Sequence, residues 1–417
     1  MADTSSSLVW GDCRDGYDLD VAPGATIQCA RLSVQLDWSR PNGTTNSLAM
    51  ARLPARDPAR KLGSLVFNPG VPGSRAMSWM KMALALIRAA SVPAHPSSAT
   101  VASTTSASLF PQDAATVATL LSKSRRGYSY GSELGARYAE LFPRRVGRVV
   151  LDGVVDHPSP RPRRSSACPS PTTRTCGASL HCAAATTRAR CPGGTCSGFM
   201  KSWRRERTSI SSLRRAATTG TCFANVTGED FRNSVQNMLV FMDAQPSVAA
   251  HLPSWTKLGQ ALRRAMDAGD ATAFAKGRIR EGLSAAEASS HNSTDVDALQ
   301  HKQRMLEAVA PLSRGGGEMW VWSSMCLGWP GRIPNLPRAT SVGRDEVAPI
   351  LLVDSMYDPE CSLELAAGVQ AQPPRSVLVT RLGDGHTRYM NGGDTSKAID
   401  VFLVDGIMPE DGATYQP

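Results

Sequence analysis

The pattern of hydrophobic and polar positions in the first part of this chain is that of strands. Residues 29–38 and 47–53 alternate between apolar and polar side chains, as strands with one buried face do. Residues 63–67 and 146–153 are short apolar runs, which are typical of strands buried on both faces. The pattern therefore predicts two strands at 29–38 and 47–53, followed by buried strands at 63–67 and 146–153.

The second part of the chain changes to a helical period and then returns to strands. Apolar residues recur at helical spacing between about 228 and 307. Apolar runs at 349–354 and 376–382 again predict buried strands, and 398–404 predicts a closing helix. Strand and helix units on both sides of a helical middle predict an α/β fold with a mostly parallel sheet and an inserted helical cap.

This division predicts three regions. Residues 1–156 form the N-terminal half of the core, and residues 344–417 form its C-terminal half. Residues 157–343 form the cap, in which the segment 157–216 is anomalous and basic.

The most informative motif is the G-x-S-x-G sequence of residues 127–131. It leads into an amphipathic helix at 132–142 and then into the apolar strand at 146–153. A serine on a sharp turn between a strand and a helix is exposed for nucleophilic attack, because the flanking glycines permit close packing. The context favours Ser129 as a nucleophile over a serine that occurs in a loop by chance.

A nucleophilic serine needs a general base, and the base needs an acid that orients it. Asp358 and His386 follow two successive predicted strands, in the chain order that such a site requires. We therefore predict the catalytic set Ser129, Asp358 and His386. Asp354 and Asp384 are local rivals for the acid, and the alternative roles are helix capping for Asp358 and a loop position for His386.

An oxyanion hole needs two backbone N–H donors. The amide of Tyr130, which follows Ser129, is the first candidate. The second is Val71, in the glycine- and proline-rich loop 68–74. The alternative for this loop is an ordinary turn.

The basic charge is concentrated in one segment. The formal net charge is +10, and residues 157–216 contain twelve Lys and Arg residues against one acidic residue. This segment lacks the regular interleaving of arginine with aromatic residues, so we expect no nucleic-acid partner. Its five cysteines form no C-x-x-C pair, so we expect no zinc site, and the predicted chemistry needs no metal or cofactor.

Other features indicate an extracellular protein. The remaining cysteines are scattered, and N-x-S/T sequons occur at Asn42, Asn225 and Asn292, as in secreted glycoproteins with disulfides. Residues 1–7 lack the plan of a signal peptide. No stretch approaches the ~20 apolar residues of a membrane span, so we expect no membrane partner. The oligomeric state is left open.

Several motifs together resemble the tripeptidyl and prolyl aminopeptidase-like serine peptidases of the α/β-hydrolase fold. The resemblance implies a secreted peptidase that removes short peptides or single residues from free N-termini, with peptides as partners. It covers about 1–75, 127–156 and 320–410. The motifs lie at 68–73, 127–131, 142–143, 149–156, 326–330, 358–359 and 385–386.

The chain also departs from that family. Val71 stands where the family has a second glycine, and its β-carbon threatens the loop geometry that aims the N–H. The family's D-x-R-G strand is absent from 74–126, and 122–126, which leads into the elbow, is polar. We therefore expect an incomplete core, and we expect 74–126 and 157–216 to pack poorly. The corresponding hypothesis is a faulty gene model with skipped or misread exons.

These observations leave three possible functions. The first is a serine aminopeptidase, and the second is an esterase-type hydrolase on the same fold. The third is a catalytically inactive remnant. The departures predict low or absent peptidase activity for this chain, with little rescue by Val71→Gly alone.

Overall fold

A computed structural model provides the structure of this protein for part of the chain. The residues it describes are 9–13, 27–35, 40, 42–54, 59, 64–68, 70, 98–103, 124–156, 226, 228–240, 255–277, 296–309, 348–372, 375–387, 389 and 392–416. The basic segment 157–216, Val71 and most of 74–126 lie outside these residues.

The described strands form one continuous ten-stranded sheet, in the order β1-β2-β3-β5-β4-β6-β7-β8-β9-β10. One edge is antiparallel, whereas β5, β4, β6, β7, β8, β9 and β10 run parallel. The strands are β1 Gly11–Asp12, β2 Gln28–Gln35, β3 Thr45–Leu53, β4 Ser64–Asn68, β5 Ser98–Ser103, β6 Ser124–Tyr128, β7 Val149–Asp152, β8 Ile350–Tyr357, β9 Ser376–Asp384 and β10 Thr414–Tyr415.

Six α-helices are described, in chain order. They are α1 Tyr130–Leu141, α2 Gly228–Leu239, α3 Trp255–Ala268, α4 Val296–Val309, α5 Leu363–Gln370 and α6 Gly393–Asp405. Short 3-10 turns lie at Pro143–Arg145 and Thr272–Gly277.

Helices cover both faces of β7 and β8, which explains why these two strands are mainly apolar. Val149 and Leu151 of β7 point to one face and pack with α1 and α5. Val150 lies on the other face and packs with α6. The predicted mostly parallel sheet, with helices on it, is confirmed.

We expected 74–126 to pack poorly, and within this segment the backbone of Ser98–Ser103 nevertheless forms a paired strand, β5. β5 pairs with β3 in antiparallel fashion and with β4 in parallel fashion. Strand β6 is also fully paired, with β4 on one side and β7 on the other. Backbone hydrogen bonding does not depend on side-chain polarity, so a polar sequence can complete a sheet when the neighbouring strands fix its position.

The helices between the two halves of the sheet have a small core of their own. Phe231 of α2 packs against Phe274, with ring centroids 4.7 Å apart. Trp255 and Leu258 of α3 are buried in the same cluster. These helices also reach the sheet loops: the Gln236 side chain donates to the Pro359 carbonyl at 3.3 Å.

Within the described residues, a disulfide joins Cys13 to Cys29 and ties β1 to β2. Asn42 lies in an exposed turn, and the other two sequons fall outside the described residues. Among the residues that the structure describes, no helix has the length and apolarity needed to cross a membrane.

Candidate active site

The predicted site residues follow the carboxyl ends of neighbouring parallel strands. Ser129 comes directly after β6, and Asp358 comes directly after β8. His386 follows β9 by two residues. Because these strands are parallel, their carboxyl ends meet at one edge of the sheet, where open α/β sheets carry their sites.

Ser129 occupies a strained turn between β6 and α1. Its φ is 52°, a left-handed conformation that is uncommon for a residue with a side chain. The turn is tight enough that a β-carbon on Gly127 would collide with the backbone of Gly131. The Ser129 N–H donates to the Asp152 carbonyl at 2.9 Å, which fixes the turn against β7. The Ser129 side chain makes no capping hydrogen bond to α1 and is half-buried.

Asp358 and His386 form a buried pair. Asp358 Oδ2 lies 2.7 Å from His386 Nδ1, and the Asp358 side chain is fully buried. Asp358 Oδ1 accepts the backbone N–H groups of Glu360 and Cys361, each at 2.7 Å. One carboxylate oxygen therefore closes the turn after β8 while the other holds the imidazole.

The rival acids make different contacts. Asp354 is fully buried, and its carboxylate accepts the backbone N–H groups of Val154 and Ser355. Asp384 receives a hydrogen bond from Arg381 at its backbone carbonyl. Asp358 is therefore the carboxylate in place to orient the His386 ring.

Helix capping does not account for Asp358, because the N-cap position of α5 is occupied by Ser362.

The loop that contains His386 is also strained, and a hydrogen bond to the helical cap holds it in place. Thr387 has a φ of 54°, and it and Ser129 are the two residues other than glycine with positive φ among those described. The His386 N–H donates to the carbonyl of Val240, which directly follows α2, at 2.8 Å. Strained backbone of this kind concentrates at functional sites.

Gly153 connects the serine turn to the histidine. A β-carbon on Gly153 would lie 2.8 Å from the Cε1 atom of His386, so the imidazole rests on this glycine. Its neighbour Asp152 binds the Ser129 amide. The end of β7 therefore carries the nucleophile candidate on one side and the base candidate on the other.

Gly70 lies against the proposed oxyanion site. It is buried with a φ of +78°, and its α-carbon lies so close to the turn that a β-carbon would be 2.9 Å from Ser129 Cβ and 3.1 Å from the Tyr130 nitrogen. Its own N–H is bound to the Asn68 side chain at 2.9 Å. The next amide along the chain, that of Val71, lies outside the described residues.

We expect Gly70→Ala to lower kcat by about 10²-fold, because the added methyl group must displace the Ser129 turn and the Tyr130 amide, and one lost oxyanion donor typically costs ~10²–10³ in rate. Gly412→Ala is the matched control. Gly412 has the same φ of +78° but has open space around it, so it pays the backbone strain alone. Turnover of both variants, with thermal unfolding measured in parallel, separates the two effects. Equal losses of turnover would contradict the proposed role of Gly70.

The charges around His386 favour its protonated form. Burial by itself lowers the pKa of His386, but the charges of Asp358 and Glu360, with the Asp358 hydrogen bond, outweigh it and raise the pKa to about 9. Burial, together with the charge of Asp358, raises the pKa of Asp354 well above its usual range. Glu360 Oε2 lies 3.3 Å from His386 Nε2, the nitrogen that would face a nucleophile.

This pKa predicts alkaline activity. A general base must be neutral, and a raised pKa means that His386 keeps its proton until the pH approaches about 9. We therefore expect kcat/KM to rise through neutral pH, about tenfold for each pH unit, and to level off above about 9. A profile measured from pH 6 to 10.5 on a neutral ester tests this. A plateau already reached at pH 7 would refute it.

Four residues at this edge were not singled out from the sequence: Gly70, Gly153, Glu360 and Val240. Glu360 could have been noticed as a second acidic side chain two positions after Asp358. The role of Val240 is carried by its backbone carbonyl, which leaves no signal in the sequence. Among the described residues, no cluster of three or more His, Cys, Asp or Glu side chains could hold a metal ion.

Comparison with known proteins gives a family match for part of the chain. Residues 312–415 match the family model described as "TAP-like protein", of the α/β hydrolases. The match covers about a quarter of the chain, so it identifies a TAP-like C-terminal region.

Two mycobacterial proteins are similar to parts of the chain. Serine protease Hip1 of Mycobacterium tuberculosis is 27% identical over 35% of this chain, and the chain spans only 39% of the length of that relative. Carboxylesterase B of Mycobacterium tuberculosis is 38% identical over 16% of this chain and 12% of its own length.

A solved structure of proline iminopeptidase from Mycobacterium smegmatis aligns with 90% of this chain and 98% of its own, with 11% identity and a TM-score of 0.39.

Proposed function

We propose that this chain is a serine hydrolase in which Ser129 is the nucleophile, His386 the general base and Asp358 the orienting acid. The observation that carries the proposal is the Asp358–His386 pair, 2.7 Å apart, at the same sheet edge as the strained Ser129 turn. A pair of side chains that only stabilised a loop would not explain why a serine with a φ of 52° lies at the same edge of the sheet.

The first half of the proposed reaction forms an acyl-enzyme. Ser129 Oγ attacks the carbonyl carbon while its proton passes to His386 Nε2. The carbonyl oxygen of the substrate becomes an oxyanion, which in this proposal the backbone amides of Tyr130 and Val71 stabilise. The tetrahedral species then collapses: His386 gives the proton to the leaving amine or alcohol as the carbon–heteroatom bond breaks.

The second half returns the enzyme to its starting state. A water attacks the acyl carbon, and His386 takes its proton. The bond from Ser129 Oγ to the acyl carbon then breaks, and the proton returns to Ser129. Asp358 keeps a proton on Nδ1 throughout, so that Nε2 is the nitrogen that accepts and donates.

The preferred substrates in this proposal are peptides with a free N-terminus. The TAP-like C-terminal region and the similarity to a serine protease support peptide cleavage. The esterase alternative has its own support in the local similarity to Carboxylesterase B. Acyl transfer by the same three side chains serves either substrate class.

One structural observation argues against an inactive remnant. Strand β5 pairs with β4, and β4 pairs with β6, so the strand that leads into the Ser129 turn is part of a continuous sheet. Val71 then becomes the principal departure that lowers the expected activity.

We also propose an extracellular location for the protein. The Cys13–Cys29 disulfide and the exposed sequon at Asn42 support it.

The test of the proposed function combines a covalent probe with two substrates. A fluorophosphonate should label Ser129 in the folded protein, and intact-mass and peptide analysis identify the site. Alanine 4-nitroanilide and 4-nitrophenyl acetate are then compared as substrates. Anilide turnover supports the peptidase, ester turnover alone supports the esterase, and the absence of both labelling and turnover supports the remnant.

A further inference from the structure

The carboxylate of Glu360 is placed at the reacting end of the site without belonging to the proposed catalytic set. Its Oε2 lies 3.3 Å from His386 Nε2, and its side chain is 15% exposed. Its backbone is fixed, because the Glu360 N–H donates to Asp358 Oδ1 at 2.7 Å. A largely buried carboxylate held this close to the base must either disturb the chemistry or serve the substrate.

We propose that Glu360 binds the α-ammonium group of the substrate and thereby selects peptides from which a single N-terminal residue is released. This inference rests on the proposed serine-hydrolase function and names the group that recognises the free N-terminus.

The distances favour a single residue over a tripeptide. Glu360 Oε2 lies 3.3 Å from His386 Nε2. When the nucleophile lies within ~3 Å of this nitrogen, as a working base requires, the carboxylate would be roughly 6 Å from the attacked carbonyl. In an aminoacyl group the α-nitrogen is about 2.5 Å from the carbonyl carbon, and an ammonium–carboxylate hydrogen bond adds about 2.8 Å. A tripeptidyl group carries its ammonium about 7 Å further away when extended, beyond the reach of this carboxylate.

The pairing of the substrate ammonium with Glu360 would also change the charge around the general base, His386. Glu360 contributes to keeping the proton on His386 in the free enzyme. When the substrate ammonium pairs with Glu360, it neutralises part of that negative charge, and His386 gives up its proton more easily. Substrates with a free amine therefore gain in the chemical step as well as in binding, and N-acylated substrates do not.

The experiment measures a selectivity ratio in the full chain. The ratio is kcat/KM for alanine 4-nitroanilide divided by kcat/KM for its N-acetylated form. We expect Glu360→Gln to lower this ratio about 10- to 100-fold, the range for one lost charge-assisted hydrogen bond. The ratio of trialanine 4-nitroanilide to its acetylated form should change less than threefold.

Glu364→Gln is the matched control, because it removes the same charge from an exposed position in the first turn of α5. It should leave the ratio unchanged. Glu360→Asp keeps the charge on a shorter side chain, so it should retain part of the selectivity. A ratio that Glu360→Gln leaves unchanged, or a trialanine ratio that falls equally, overturns the inference.

A second measurement, the rate of covalent labelling, tests the inference even when turnover is too slow to measure. Diphenyl 1-aminoethylphosphonate, with its amine free or acetylated, labels an active-site serine without needing a complete cycle, and intact mass gives the rate. The free amine should label Ser129 faster, and Glu360→Gln should remove that advantage. Labelling at equal rates by both forms overturns this inference alone. No labelling by these probes or by a fluorophosphonate overturns the proposed function and this inference with it.

Discussion

Replacing Ser129 by alanine should abolish covalent labelling by a fluorophosphonate and lower hydrolytic turnover by about 10⁴-fold or more. Without the hydroxyl no acyl-enzyme can form, and only binding and oxyanion stabilisation remain, as in other serine hydrolases that lose the nucleophile. The measurement is intact-mass labelling together with ester and anilide turnover.

Ser376→Ala is the matched control for this prediction. Ser376 is the first residue of β9, so it lies at the amino ends of the parallel strands, away from the site at their carboxyl ends. Its hydroxyl donates to the Gln370 carbonyl. Its loss should leave labelling and turnover unchanged. Labelling that persists in Ser129→Ala would place the nucleophile elsewhere and remove the basis for the proposed function.

Replacing Asp358 by asparagine should lower kcat by about 10⁴-fold, the size of effect seen when the acid of such a triad loses its charge. The amide would favour the wrong imidazole tautomer, because its NH₂ group donates where the carboxylate accepts. It would also leave two backbone N–H groups, those of Glu360 and Cys361, with a weaker acceptor. The pH dependence should change as well, since the charge of Asp358 raises the pKa of His386.

Asp354→Asn provides the comparison. Burial and the charge of Asp358 raise the pKa of Asp354 well above its usual range, which favours the neutral acid, and an amide resembles that form. We expect a loss of less than about tenfold, attributable to the Val154 and Ser355 contacts. If Asp354→Asn is the more damaging change, Asp354 and not Asp358 is the orienting acid. Thermal unfolding of both variants shows whether either loss reflects folding.

The elements of the sheet were predictable where burial imposes a simple pattern. The apolar runs at 349–354 and 376–382 became β8 and β9, and the helix after Ser129 begins at Tyr130 as α1. Strands buried on both faces are mainly apolar, so they can be recognised in the sequence as apolar runs. Strand β5, with the sequence SATVAS, gives no such signal. Its place is set by the open hydrogen-bonding edges of β3 and β4, which only the assembled sheet provides.

The sequence by itself determined the α/β architecture, the elbow around Ser129 and the chain order of Ser129, Asp358 and His386. These follow from local rules: hydrophobic period, turn chemistry, and the position of polar residues just after strands.

The tertiary structure decided between the predicted acid and its rivals, and it showed what surrounds the histidine. Asp354 and Asp384 rival Asp358 in the sequence, because each lies at or just after the end of a predicted strand. The turn after β8 brings Asp358 to His386 Nδ1 and Glu360 to Nε2. These contacts depend on distances of a few ångströms between residues that are separated in the chain. Such distances are set by packing in the folded protein, so they cannot be read from the sequence.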